Sequence, residues 1–438
     1  MRKVLGAVLL LAAVAAVVPP AFAQEVSKKK EVAVFNLSYY KWTIPPSALG
    51  SIDEQVRGVF VNLGRFDVVG MTYRLGEEDV NAFIESISTF KAENAEIPEQ
   101  VQMGREFFTQ ADMNRLVSSF IVVIPAVADF ITDRGKDGKY TTEIRTSFTF
   151  VNVETAQSFA QFFVSTRGSD DNPARATREA IDAIPMQLTF QIRKVPEFQL
   201  RTGILEVRGG EVLIEFGRDM GVKPGDEYLI MGTRVLKSGK QVSDEKGLLI
   251  VRQVKDEVST ATVVYSNGRP QEGEQLQELP RLGIDVTPLA RAVVLQVIPS
   301  PFAMPVLAGI RTSLARGFFG FRPQVTLELP LHVLFDSGIA AAYGGFPLNI
   351  SVGGEYNLYL GRLQVVPTAS IGVGVAIPLD KDKTPQLTHF GGSAGVALTY
   401  LFSRDAKLVL EAGYLGWVSS WLASYDGVYG GAGVSVKF

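Results

Sequence analysis

The chain closes on "YGGAGVSVKF", residues 429–438, and the alternation in this stretch is strict. Val428, Gly430, Ala432, Val434, Val436 and Phe438 fall on one face, with Tyr429, Gly431, Gly433, Ser435 and Lys437 on the other. A period of two belongs to a β-strand. One face is apolar along its whole length while the other mixes glycine, hydroxyl and charge. That division suits a strand with lipid on one side and a polar interior on the other.

The same pattern recurs upstream. Residues 282–438 hold 10 basic and 9 acidic side chains, whereas the preceding 281 hold the other 70 of the chain's 89 charges. Within this charge-poor part, segments 324–335, 348–360, 363–377 and 390–402 each keep one apolar face, for example Val325, Leu327, Leu329, Leu331, Val333 and Phe335. Segments 304–315 and 406–417 read the same way, and a poorly alternating segment at 284–297 completes an even count. Eight such segments predict an eight-stranded antiparallel transmembrane β-barrel over residues 280–438. Alternate connections are short (316–320, 361–362, 403–405) and long (336–346, 378–388, 418–427). In such barrels the short connections lie in the periplasm, so everything before residue 280 is expected there.

An eight-stranded barrel is just wide enough for side chains to fill it. Arg311, Glu328, His332, Glu355 and Glu411 have inward parity and are expected to form a mutually paired network. A membrane anchor is favoured over a solute channel on that ground. The two histidines, His332 and His389, fit no Ser/His/acid spacing, which weighs against a lipid-modifying enzyme. The sequence also lacks a phosphate-binding loop, a dinucleotide fingerprint and any Cys/His metal spacing, so no catalysis and no cofactor is expected. "DRGKDGK" (133–139) and "DKDK" (380–383) lack the alternate acids of a calcium loop and read as solvated turns.

At the other end, Arg2 and Lys3 precede an apolar run, and Ala21-Phe22-Ala23 offers a small-x-small cleavage site. Residues 1–23 are therefore expected to be a signal peptide. Cysteine is absent, which excludes disulfides, thiolate metal sites and a lipid-modified cysteine. With 43 basic against 46 acidic residues there is no electrostatic case for nucleic acid.

Residues 24–200 read as βαβααβββα, an α/β layer domain. It comprises a strand at 31–37, a helix after Pro45-Pro46, "RFDVVG" (65–70), helices near 80–90 and 98–116, three strands, and a last helix capped by Asn172. Residues 201–279 read as a small β-barrel, SH3-like, in which Gly209-Gly210 joins two strands and Gly221, Pro224, Gly225 and Asp226 form a tight turn.

"VAVFNL", "RFDVVG" and "VNVETAQ" followed by an Ala-rich helix resemble the periplasmic domains of the curli secretion channel subunit and of flagellar assembly protein T. The turn "GVKPGDEY" is similar to one that recurs in the small barrel of the latter family. Gly433, Val436 and Phe438 resemble the C-terminal signal by which outer-membrane barrels are recognised for insertion, with Gly431 standing where a polar residue is usual. The resemblance implies a non-catalytic assembly factor or scaffold in the periplasm; the barrel, a departure from those families and expected to be monomeric, would hold it in outer-membrane lipid. Its partners would be other envelope proteins, flagellar ones among them. A transport or secretion channel is the alternative.

Overall fold

A computed structural model describes residues 26–39, 44–75, 79, 82–86, 89, 98–103, 106–118, 121–296, 304–331, 346–378, 384–418 and 424–438. Ala21, Ala23, His332 and the 380–383 stretch lie outside them.

The chain opens with β1 (Lys30–Val34), β2 (Ser38–Tyr39), α1 (Pro46–Asn62) and β3 (Phe66–Gly70). Pro46 suits the first turn of α1, where no backbone donor is needed, and the stripe Leu49, Ile52, Val56 and Val59 is buried. Residues 82–86 are helical. The single helix expected over 98–116 is not found: a hairpin, β4 (Gln100–Met103) with β5 (Glu106–Thr109), precedes a shorter α2 (Gln110–Ser118). The cause is Thr109, whose Oγ1 accepts from the Asp112 backbone N–H at 3.2 Å and so starts the helix there.

Next come β6 (Ile121–Arg134), β7 (Tyr140–Asn152), β8 (Gln157–Asp170), α3 (Pro173–Asp182) and α4 (Ile184–Lys194). Asn172 caps α3, accepting from Ala174 and Arg175. The expected last helix is two, broken where Pro185 enters the first turn of α4. The sheet runs β3-β1-β6-β7-β8, with β1 parallel to both neighbours, the short β2 also parallel to β6, and β6-β7 and β7-β8 antiparallel. Helices α1, α3 and α4 cover one face around Val32, Val123, Phe148 and Phe150. The hairpin and α2 supply Phe108, Met113 and Leu116 to the other face, against Ala33, Val122 and Ile124.

Six strands then close a small barrel: β9 (Arg201–Arg208), β10 (Glu211–Ile214), β11 (Glu227–Val235), β12 (Gln241–Val254), β13 (Ser259–Ser266) and β14 (Gln275–Leu279). Alternate residues, among them Ile204, Val212, Ile230, Leu249 and Leu276, fill its core.

The second barrel comprises β15 (Ile284–Gln296), β16 (Val306–Leu314), β17 (Phe321–Pro330), β18 (Phe346–Tyr356) with its continuation β19 (Leu358–Leu360), β20 (Leu363–Ile377), β21 (Gln386–Ser403), β22 (Ala406–Val418) and β23 (Tyr425–Lys437). Neighbours pair antiparallel, β18 pairs with β20, and β23 returns to β15, closing a ring of eight. The first strand alternates after all. Asp285, Thr287, Leu289, Arg291 and Val293 are buried, but its outer face of Pro288, Ala290 and Ala292 is too weakly apolar to stand out in sequence. Elsewhere the exposure is that of a soluble protein turned inside out. Val434, Leu327, Val396, Leu410, Ile310 and Ile371 are 41 to 73% exposed, while Arg311, Thr326 and Glu328 are buried.

Candidate functional site: a filled lumen and a charged junction

Inside the larger barrel the inward polar residues meet in two layers. In the middle layer Arg291 bridges Glu328 at 3.0 Å and Glu411 at 2.5 Å, and Arg311 reaches the second oxygen of Glu411 at 2.8 Å. The Arg291 guanidinium also stacks 4.9 Å from the Tyr429 ring. Toward the end holding both barrel termini, Asp285 accepts from Lys407 at 2.9 Å and Arg322 at 3.1 Å. Arg322 also donates to the Tyr359 hydroxyl at 2.8 Å.

At the opposite end Trp417, Tyr425, Tyr429, Leu307 and Val293 form an apolar plug. Beside it His389 bonds Thr388 at 2.8 Å and Asn349 at 2.7 Å. The cavity between the layers, lined by Glu355, Asn357 and Thr399 among others, is about 20 Å³, room for about one water. Buried charges of this kind persist because each is paired; removing one partner strands the other.

Of the residues assigned to the lumen from sequence, Arg311, Glu328 and Glu411 thus meet in one cluster. Glu355 is outside that cluster: half-buried, it lies opposite Arg322 of the other layer and accepts from Asn357 at 3.3 Å. Sequence reasoning missed Arg291, Asp285 and Arg322, for which inward parity on β15 and β17 was the signal available; Lys407 has inward parity in the sequence beside Glu411 and joins them.

The smaller barrel docks across the terminal end of the larger one. Leu229, Leu248, Ile250 and Val264 pack with Leu401, and Met231, Tyr265, Phe319 and Tyr359 join them. Arg362, in the turn after β19, lies 3.8 Å from the Tyr265 ring centroid. Glu227 at the start of β11 pairs with Lys437, which points into the lumen, and with Arg281 at 3.2 Å. Arg281 continues to Asp405 at 2.7 Å, and Arg404 pairs with Glu245 at 3.2 Å. The mouth at this end is covered.

The turn Gly221, Pro224, Gly225 and Asp226 proves to be where three parts of the chain touch. Gly221 has φ 73°, and a Cβ there would stand 1.9 Å from the Leu63 carbonyl oxygen after α1. Gly225 has φ 83°, and a Cβ there would stand 2.1 Å from the Ala315 oxygen of the larger barrel. Pro224 O accepts from Gly317 N at 2.8 Å. Asp226 Oδ1 accepts from Arg193 of α4 at 2.9 Å and from Arg316 of the larger barrel at 2.8 Å.

Arg193 also donates to Glu278 at 2.7 Å, and Arg65 donates to both Glu278 oxygens at 2.7 and 3.1 Å. The Leu200 N–H completes the shell of Glu278 at 3.0 Å. Burial alone would raise the Glu278 pKa, but Arg65 and Arg193 overcome it and hold the carboxyl down to about 2. Burial likewise disfavours the Arg193 cation, and Asp226 with Glu278 more than restores it. A continuous chain of ion pairs therefore runs from α4 through the small barrel to the larger one.

Gly433 pairs with Leu289, and Phe438 is exposed on the outer face beyond the half-buried Val436. The Phe438 N–H donates to Ile284 O at 2.9 Å, and its carbonyl accepts from Gly283 at 3.0 Å, so this residue fastens the closing seam.

No family model matches the chain, and no curated protein does. Among solved structures, parts of it are similar to the N-terminal β-barrel domain of OprF from Pseudomonas aeruginosa, at 12% identity over 35% of this chain and 96% of that one, TM-score 0.24. Neisserial surface protein A is similar at 14% identity over 36% and 97%, TM-score 0.25. The PelC dodecamer subunit from Paraburkholderia phytofirmans is similar at 14% over 37% and 92%, TM-score 0.23. The eight-stranded ring stands on its own strand pairings.

Proposed function

We propose that this chain is an outer-membrane-anchored scaffold: a plugged eight-stranded barrel holding two rigidly coupled modules in the periplasm, where they organise other envelope proteins. The observation that carries this reading is a lumen closed twice, by the Arg291–Glu411–Arg311 layer and by the docked small barrel. Its support is the outer surface. Phe321, Tyr356, Tyr400, Phe402 and Phe438 ring one end, and Phe390 stands ten residues along β21 from Tyr400. At about 3.3 Å per residue and a tilt of about 40° that separation is ~25 Å, the height of a lipid-facing band. The modules lie at the end with short turns, the periplasmic end of such barrels.

Under this reading the chain is non-catalytic, as the resemblance to flagellar assembly protein T implies, and its partners are periplasmic proteins. The test is paired. Purified full-length protein is expected to be silent in planar bilayers, and site-specific photocrosslinkers over residues 26–280 are expected to trap a reproducible protein partner in cells. Conductance would replace the scaffold by a channel, and an arm that crosslinks nothing would remove the assembly role.

A further inference from the structure

The hairpin of β11 and β12 overhangs the larger barrel, and its course follows from two contacts. Glu227, at the start of β11, lies under the lumen, where it pairs with Lys437. Four residues on, Met231 is opposite Glu245, which holds Arg404 in the rim turn between β21 and β22. From axis to rim is thus about 13 Å along the strand, and the hairpin then continues to Leu236, another ~16 Å outward.

Parity fixes which way its side chains point. Tyr228 and Ile230 face the small barrel's core, while Leu229 and Met231 face the larger barrel. Val235 shares the parity of Leu229 and Met231 and so points to the membrane side of the overhang, where it is 62% exposed. Leu236 is 36% exposed in the tip, whose turn closes through Leu236 N to Lys240 O at 2.8 Å. Lys237 and Lys240 follow it in the turn, both exposed, and Arg234 is paired with Asp244 at 2.8 Å. An apolar pair followed by two exposed lysines, on a hairpin whose course carries it past the barrel rim, has the composition of a membrane-surface contact.

We infer that residues 234–241 form a finger that lies on the inner leaflet of the membrane the barrel crosses. Val235 and Leu236 enter the headgroup layer, and Lys237 and Lys240 bind phospholipid phosphates. The inference rests on the membrane reading above and adds a second attachment, which fixes the rotation of the arm about the barrel axis.

The chain has no cysteine, so single cysteines label uniquely. The full-length protein carrying Leu236→Cys, Leu205→Cys or Leu398→Cys would be labelled with an environment-sensitive fluorophore and reconstituted into phosphatidylethanolamine/phosphatidylglycerol vesicles containing spin-labelled lipid. Leu398 lies on the outer face of β21, and Leu205 is exposed on β9 of the small barrel. Quenching is expected at 398 and 236 and not at 205. The 236 signal should fall to the 205 level on Lys237→Glu with Lys240→Glu, while the 398 signal stays. Quenching at 398 with none at 236 overturns the finger alone; none at 398 overturns the membrane reading and the finger with it.

Discussion

Replacing Glu278 by Gln tests whether the buried junction is held by charge. The substitution keeps the volume but leaves Arg65 and Arg193, both nearly inaccessible, without their shared anion. Two routes give the same size of effect. A fully buried carboxyl that titrates at about 2 instead of its ordinary 4.5 stabilises the folded state by about 3 kcal/mol. Breaking a buried ion pair by removing one partner costs about 3–5 kcal/mol.

The sign follows from the depressed pKa: the stabilisation is complete above pH 4.5 and is lost as pH falls from there toward 2. Arg65, Arg193 and Glu278 all lie within residues 26–280, so guanidinium unfolding of that fragment is the assay. Wild type should exceed Glu278→Gln by about 3 kcal/mol at pH 7, and the gap should narrow steadily below pH 4.5. A gap of about 1 kcal/mol or less, typical of exposed pairs, would refute the reasoning, as would a gap that does not change with pH.

Gly221→Ala and Gly225→Ala should separate different joints, the first between α1 and the small barrel and the second between the two barrels, each read by protease cutting at the freed linker. Glu411→Ala strands Arg311 and leaves Arg291 with Glu328 alone, and should lower barrel stability by about 3–5 kcal/mol, measured as the urea midpoint in lipid, without opening a conducting path. Deleting Phe438 removes two seam hydrogen bonds. It should reduce the heat-modifiable, inserted form on gels while leaving the unfolding of residues 26–280 untouched.

How legible all this was depended on range. Lipid demands an unbroken apolar outer face, so seven barrel strands announced themselves by parity. The first hid because Pro288, Ala290 and Ala292 barely contrast with what lies inside. Parity also found Arg311, Glu328 and Glu411, but their link, Arg291, sits on that same muted strand. The junction could not be read. Arg193 and Glu278 are 85 residues apart, and Arg65 and Glu278 are 213 apart, so no local spacing joins them. The turn at Gly221 and Gly225 was visible as a turn, yet what its glycines approach belongs to other parts of the fold. At 98–116 the composition suited a helix, and only the cap at Thr109 shows why the first part pairs as a hairpin instead.

The way the small barrel grips both sides of the seam has a mechanical consequence. The covalent connection between the two is the short stretch after β14, which leads straight into β15, and a pull on it alone would peel β15 from β23. Glu245 to Arg404 and Glu227 to Lys437 tie the small barrel itself to the turn before β22 and to β23. Tension on the arm is therefore divided between the first and last strands, and the joint that closed the cylinder is not the one asked to bear the load.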